Sequence, residues 1–233
     1  MISIIIPVLN EADTIGKLLH HINQNTLASN ISEIIIVDGG STDGTQEIVS
    51  NSKTSKEIQT LLIDSEKGRA KQMNLGATHA KGCILYFLHA DSFPPKDFDQ
   101  LIINEVNNGN KAGCFRMQFD SNHWWLQLAS WLTQFNFKVC RGGDQSLFVT
   151  SSLFKDIGGY NESYVIYEDN ILINELYKRN EFTVINKKIT TSARLYKKVG
   201  VWKLQIHFWT IHIKNWFGAS ADEMLAYYKK NIA

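Results

Sequence analysis

The sequence predicts an α/β fold, a mostly parallel, doubly wound sheet with helices on both faces, and three observations predict it. Apolar runs recur and each stops at or near a carboxylate: Ile34 to Val37 before Asp38, and Ile84 to Leu88 before His89-Ala90-Asp91. Runs without a polar member are the pattern of strands buried on both faces. Between the runs lie stretches with helical spacing and short connections, so strand and helix alternate as in crossover units of a parallel sheet.

Residues 2 to 9 read as the first strand, with Asn10-Glu11-Ala12-Asp13 as a polar loop and helix start. Ile15, Leu18, Leu19 and Ile22 then fall at i, i+3, i+4, i+7, one face of an amphipathic helix. The run ending at Asp38 leads through Gly39-Gly40-Ser41-Thr42-Asp43-Gly44 into a helix around Thr45 to Ser50. Leu61 to Asp64 is a third strand, and Glu66-Lys67-Gly68-Arg69 joins it to a helix holding Met73, Leu75 and Ala77. The fourth strand ends near Leu88, where Pro94-Pro95 cannot continue a ladder. Beyond it we expect a helix to about Asn108, a strand from Gly113 to Phe119, and an aromatic helix carrying Trp124, Trp125, Leu128, Trp131, Leu132 and Phe135. A short strand from Ser146 to Val149 follows, then a helix from Ser152 to Ile157 ended by Gly158-Gly159, and a helix opened by Glu168-Asp169.

With 233 residues, 44% of them hydrophobic, the chain reads as one domain, 1–233, with a sizeable core. Cys83, Cys114 and Cys140 are far apart and odd in number, which argues against a zinc site or a disulfide framework and fits a reducing cytoplasmic setting. Met1 leads directly into Ile2-Ser3-Ile4 without a basic leader, and no window reaches the ~18 apolar residues of a membrane span. The net charge of +1 hides an asymmetry, since 187–233 holds nine Lys/Arg and two acidic residues, net +7, against −6 for the rest. That segment is suited to an anionic partner, either a phosphate-bearing ligand or a membrane surface, or is simply a solvated helix face. Near-neutral overall charge and the lack of an aromatic-basic RNA motif argue against nucleic acid.

Three positions keep more than one reading on residue chemistry alone. Asp91, just past a buried strand, is either a carboxylate for a hard cation at the ligand-binding rim or a turn-forming Asp before Ser92. Glu168 and Asp169 suit chemistry, and two acids in a first helical turn also suit the helix dipole. Trp202, Trp209 and Trp216, with Ile206 and Ile213 between them, form a helical stripe beside Lys203 and Lys214. It fits core, a membrane interface or a subunit contact.

The ordered set Pro7-Val8-Leu9-Asn10-Glu11, Val37-Asp38-Gly39-Gly40-Ser41-Thr42-Asp43, Glu66-Lys67-Gly68-Arg69-Ala70, His89-Ala90-Asp91, Gly143-Asp144-Gln145 and Tyr167-Glu168-Asp169 resembles the family 2 glycosyltransferases of the GT-A fold over nearly the whole chain. It looks most like the small bacterial subgroup associated with radical-SAM/selenium-domain genes. The resemblance implies transfer of a sugar from a nucleotide-diphosphate sugar to an acceptor hydroxyl, with 1–95 as the nucleotide-binding half, 96–190 as the acceptor and catalytic half, and 191–233 as basic, Trp-rich helices. Pro7, Asn10, Glu11 and Asp38 would line the nucleoside pocket, with Asp38 accepting from the base. Gly68 and Arg69 would lie over the nucleotide, and His89 and Ala90 would complete its rim. Asp91 would bind Mg²⁺ or Mn²⁺. Asp169, paired with Glu168, would be the catalytic base.

The chemistry asks for the same parts. A dianionic leaving group needs a divalent ion as the anomeric bond breaks, and an alcohol needs a carboxylate to take its proton. One base and an in-line displacement invert the anomeric centre. Two departures stand out: His89 occupies the place of the first carboxylate of the common Asp-x-Asp, so it would donate to ribose or ligate the ion, and no Gln-x-x-Arg-Trp motif of the larger polysaccharide synthases is present. Arg194, Lys197 and Lys198 are the candidates for positive charge near the diphosphate, or a solvated basic turn. The competing readings are a nucleotidyltransferase, which would carry a Gly-rich loop where Pro7 to Glu11 has no glycine, and a non-catalytic nucleotide-sugar-binding protein. Trp124, Trp125 and Trp131 suit an acceptor wall, and with the Trp202/Trp209/Trp216 stripe and the basic terminal segment they suggest a lipid-linked acceptor at the inner membrane face.

Overall fold

The computed structural model describes residues 1–52 and 58–232. β1 (Ile2–Val8), α1 (Ala12–Asn25), β2 (Ile31–Asp38), α2 (Thr45–Asn51), β3 (Gln59–Asp64), α3 (Arg69–His79) and β4 (Ile84–Phe87) alternate as the sequence predicts. Their four strands are parallel in the order β3-β2-β1-β4. Side chains of a strand alternate between faces, and the core divides accordingly. Ile2, Ile4, Ile6 and Val8 of β1 pack with Leu18, Leu19 and Ile22 of α1 on one face, whereas Ile5, Ile35 and Val37 pack with Met73 of α3 on the other. Gly76 of α3 is required by that second contact, because a Cβ there would meet Ile5 Cγ2 at 2.5 Å.

β5 (Ser92–Phe93), α4 (Phe98–Asn107), β6 (Ala112–Phe119), α5 (Trp124–Leu132), β7 (Leu147–Thr150), α6 (Ser151–Ile157), α7 (Glu168–Lys178) and β8 (Thr183–Thr191) complete the sheet, whose order is β3-β2-β1-β4-β7-β6-β8-β5. β7 enters antiparallel between β4 and β6, and β8 runs parallel to β6. β8 escapes sequence patterning because Asn186, Lys187 and Lys188 interrupt its alternation, and a register shift at Phe115/Arg116 of its partner accommodates them. The aromatic helix is also shorter than its spacing suggests. α5 stops at Leu132, and Phe135 falls in the following turn, where Thr133 turns its hydroxyl back to the Met117 N–H of β6 at 2.8 Å.

α8 (Arg194–Val199) and α9 (Val201–Trp216) are separated at Gly200, which adopts φ +96°, and α10 (Ala221–Asn231) folds back on α9. Leu204 and Ile211 of α9 are buried with Met224 of α10. Trp202, Ile206, Trp209, Ile213 and Trp216 lie on the other side and are all exposed, Trp216 at 82%. The core reading of this stripe is therefore overturned: periodicity identified a shared face, and the aliphatic face opposite is the buried one. Among the described residues no helix is long and apolar enough to cross a membrane.

Candidate functional site

The carboxyl ends of β1, β2 and β4 form one rim, and side chains stitch its loops together. Asn10, held at φ +56°, donates its N–H to Ser41 Oγ (2.9 Å) and accepts from the Thr42 N–H (2.9 Å). The Glu11 N–H reaches Thr45 Oγ1 and the Ala12 N–H reaches Asp43 Oδ2, at 2.9 and 3.0 Å. Pro7 lies in β1, within its ladder to Val37 of β2, one residue before the rim. Asp38 is buried, and its carboxylate accepts from the N–H and hydroxyl of Ser41 and from Gln46 Nε2 (2.5 Å), so its own loop engages it before any ligand does. Below the rim, the buried Gln72 amide donates to the carbonyls of Val8 (2.8 Å) and Val37 (2.7 Å), clamping the ends of β1 and β2. Nothing in the sequence pattern singled out Gln72, a polar residue in an otherwise ordinary helix turn.

The α7 N-terminus separates the two acids expected to act as a pair. Glu168 is 1% exposed and faces Arg69 Nη1 at 3.3 Å. It is consequently an ion-pair partner and not a free base, and Arg69 is turned towards α7. Asp169 accepts no hydrogen bond within reach among the described residues, and its Oδ2 lies 3.9 Å from His89 Nε2, beyond hydrogen-bonding distance. Burial, with the Glu168 carboxylate beside it, pushes the Asp169 carboxyl up to about 7, a value matched to proton abstraction near neutral pH. His89 Nδ1 is likewise 3.9 Å from Asp144 Oδ1. Burial and the Arg69 and Arg194 guanidiniums push the imidazole down to about 3, so His89 is neutral between the two acids.

Gly143 makes this arrangement possible. A Cβ there would stand 2.7 Å from Asp169 Cγ and 3.2 Å from His89 Cε1, so the residue must be glycine for α7 to approach. Gly68, at φ +147°, similarly ends the β3 loop at the start of α3. The loop bearing Gly143 and Asp144 hangs on Arg141, which is 5% exposed. Arg141 donates to the carbonyls of Thr133 (2.7 Å) and Phe135 (2.6 Å) and to Gln145 Oε1 (2.7 Å), and Gln145 Nε2 donates to the Cys140 carbonyl (2.6 Å).

Asp91 lies beside Ala90 at the end of β4, with a side chain 17% exposed and Arg194 Nε 3.2 Å from its Oδ2. Arg194 also forks onto Glu11, Nη1 to Oε2 at 2.8 Å and Nη2 to Oε1. Arg194 reaches the rim, whereas Lys197 turns to Asp120 at 3.5 Å. Burial first, and then Asp144 and Glu11 against the opposing Arg194, pushes the Asp91 carboxyl up to about 6. A carboxylate at this rim is an oxygen donor of the kind that suits Mg²⁺ or Mn²⁺. Among the described residues no three His, Cys, Asp or Glu converge into a cage, so Asp91 would be one protein ligand among substrate oxygens and water.

α5 and α9 form a common aromatic surface. Trp125 Nε1 donates to Gln205 Oε1 (3.0 Å), and the Trp124–Trp202 and Trp125–Trp209 ring centroids are 5.7 and 5.8 Å apart. Trp124 and Trp131 are exposed, as are Phe135 and Phe137 in the turn leading to Arg141.

Comparison with known proteins agrees with this architecture. The chain is 37% identical to glycosyltransferase AglE of Haloferax volcanii over 94 residues, 40% of this chain and 31% of that protein. It is 31% identical over 176 residues to a PGL/p-HBAD biosynthesis glycosyltransferase of Mycobacterium bovis BCG, covering 72% of this chain and 66% of that one. A mannosyltransferase of Pyrobaculum calidifontis solved with GDP-Man and Mn²⁺ superposes with a TM-score of 0.67 at 19% identity, over 90% of this chain and 59% of the other. The chain thus spans about a third to two thirds of the length of these proteins. The model of glycosyl transferase family 2 matches residues 3–156, and the chain belongs to that family.

Proposed function

We propose that this chain transfers a sugar from a nucleotide-diphosphate sugar to an acceptor hydroxyl, with inversion at the anomeric carbon. The observation that carries the reading is Asp169, a carboxylate without a hydrogen-bond donor among the described residues, raised to about 7 and 3.9 Å from the His89 ring. It takes the acceptor's proton as the hydroxyl attacks the anomeric carbon from the side opposite the diphosphate. Glu168, tied to Arg69, keeps negative charge beside Asp169 and so maintains its basicity. Neutral His89 fills the wall without adding charge.

Pro7, Asn10, Glu11 and Asp38 form the nucleoside side of the pocket, with Gly68, Arg69, His89 and Ala90 along its edge. Asp91 would hold Mg²⁺ or Mn²⁺, which when bound supplies the charge that offsets the leaving diphosphate. The GDP-Man and Mn²⁺ in the mannosyltransferase complex support a donor and ion of these classes. Within the family, His89-Ala90-Asp91 and Gly143-Asp144-Gln145 support membership of the small radical-SAM/selenium-domain-associated subgroup.

The acceptor is lipid-linked and met at the cytoplasmic membrane face. The exposed Trp124/Trp131 and Trp202/Trp209/Trp216 surface supports this, being aromatic, flanked by Lys203 and Lys214, and continuous with the turn that leads to Asp144. Calorimetric titration of nucleoside diphosphates and their sugars, with and without Mn²⁺, on wild type and Asp91→Ala tests the donor. Metal-dependent binding lost in Asp91→Ala is expected, and no binding of any nucleotide would end the enzyme reading. Failure to sediment with anionic liposomes at low salt would remove the membrane.

A further inference from the structure

Arg194 is joined to the site by three nitrogen atoms. Nη1 and Nη2 fork onto Glu11 at the end of β1, and Nε lies 3.2 Å from Asp91 Oδ2 past the end of β4. The two carboxylates are 14% and 17% exposed, whereas the arginine side chain is 54% exposed. The partners are thus fixed in the wall, and the guanidinium is the member free to swing. Its backbone is anchored from the previous residue, since the Ala193 N–H donates to Asp120 Oδ1 at 2.6 Å.

We infer, on the donor reading above, that Arg194 occupies the cation place on Glu11 and Asp91 in the empty site, and passes to the donor's diphosphate when ion and nucleotide arrive together. A divalent ion on Asp91 and a guanidinium 3.2 Å from the same carboxylate repel each other, so the two exclude one another there. A diphosphate offers the displaced guanidinium two anionic groups of the shape its donor fork fits. Arg194 is accordingly a binding residue for the leaving group. The empty protein takes up metal poorly because its own side chain already neutralises the metal ligand.

The test uses the whole chain and reads metal and nucleotide binding separately. Free Mn²⁺ is titrated by electron paramagnetic resonance into wild type, Arg194→Met and Arg194→Met/Asp91→Asn without nucleotide, and UDP and GDP are titrated calorimetrically at saturating Mn²⁺. Arg194→Met is expected to bind Mn²⁺ at least about tenfold more tightly than wild type, the double variant to lose that gain, and the better nucleotide to bind Arg194→Met at least about tenfold more weakly. Arg194→Gln should behave as Arg194→Met, and circular dichroism monitors folding of each variant. Equal Mn²⁺ affinity in wild type and both single variants, or unchanged nucleotide affinity, overturns the inference while leaving the donor reading intact. If neither nucleotide binds wild type even with Mn²⁺, the donor reading itself falls and this inference with it.

Discussion

Arg69 Nη1 lies 3.3 Å from Glu168 Oε1, joining the first residue of α3 to the first residue of α7. The contact joins residues 99 positions apart and fixes the start of α7, which carries Asp169, the proposed base, next in sequence. Arg69→Met leaves a buried carboxylate unpaired. We expect a loss of about 2 kcal/mol in denaturant unfolding, below the full figure for a buried pair because the arginine is half-exposed.

Asp169→Asn removes the proposed proton acceptor and keeps the volume. Turnover should fall about 10³-fold with donor affinity retained, as measured by steady-state kinetics beside calorimetry. Retained turnover would remove Asp169 from the chemistry.

The raised Asp169 carboxyl also fixes two pH dependences. Activity requires the ionised form, so kcat/KM should climb about tenfold between pH 6 and a plateau above pH 7 to 8. Stability runs the other way. Between the ordinary value of 3.8 and about 7, the folded chain keeps a proton that the unfolded chain has released, so this group's contribution to stability falls as pH rises across that window. Asp169→Asn should flatten that slope and raise the melting temperature at pH 8 relative to wild type.

Gly143→Ala places a methyl against the Asp169 carboxylate and the His89 ring. The proposed base is displaced while the loops after β1 and β2 stay in place, so kcat should drop about 10²-fold with the donor Kd unchanged. A variant with normal turnover would mean that α7 need not approach this closely.

Arg141→Met strips donors from the Thr133 and Phe135 carbonyls and from Gln145 in a buried loop. The expected cost is about 3 kcal/mol. Hydrogen exchange should quicken first in residues 133–145 and leave β1 and β2 protected.

The position of the rim was legible because two of its carboxylates end apolar strands: Asp38 and Asp91 announce themselves where Val37 and Leu88 stop being followed by hydrophobic residues. Asp169 was legible as an acid opening a helix. Patterning could not part Glu168 from Asp169, since adjacent residues on a helix point about 100° apart and only the position of Arg69 decides which is paired. Arg194 stood among three basic candidates, and its choice depends on β8, a strand whose Asn186-Lys187-Lys188 middle hides it. The Trp202/Trp209/Trp216 stripe shows a similar limit, because spacing says which residues travel together and not which way they turn. Gln72 and Gly143 act through contacts with residues 35 and 26 positions away, which no local pattern encodes.

The antiparallel pairing of β4 with β7 sets Phe87 opposite Leu147. The strand that delivers His89 and Asp91 therefore ends beside the strand that begins just after Gly143 and Asp144, and two loops far apart in sequence share one edge. The segment between α5 and β7 is held by Arg141, by the Met117 N–H to Thr133 hydroxyl bond and by the pairing of β7 with β4 and β6. Bringing the two loops to one edge makes the site depend on strand pairing: a substitution that loosens Phe87–Leu147 would part His89 from Gly143 without touching either residue.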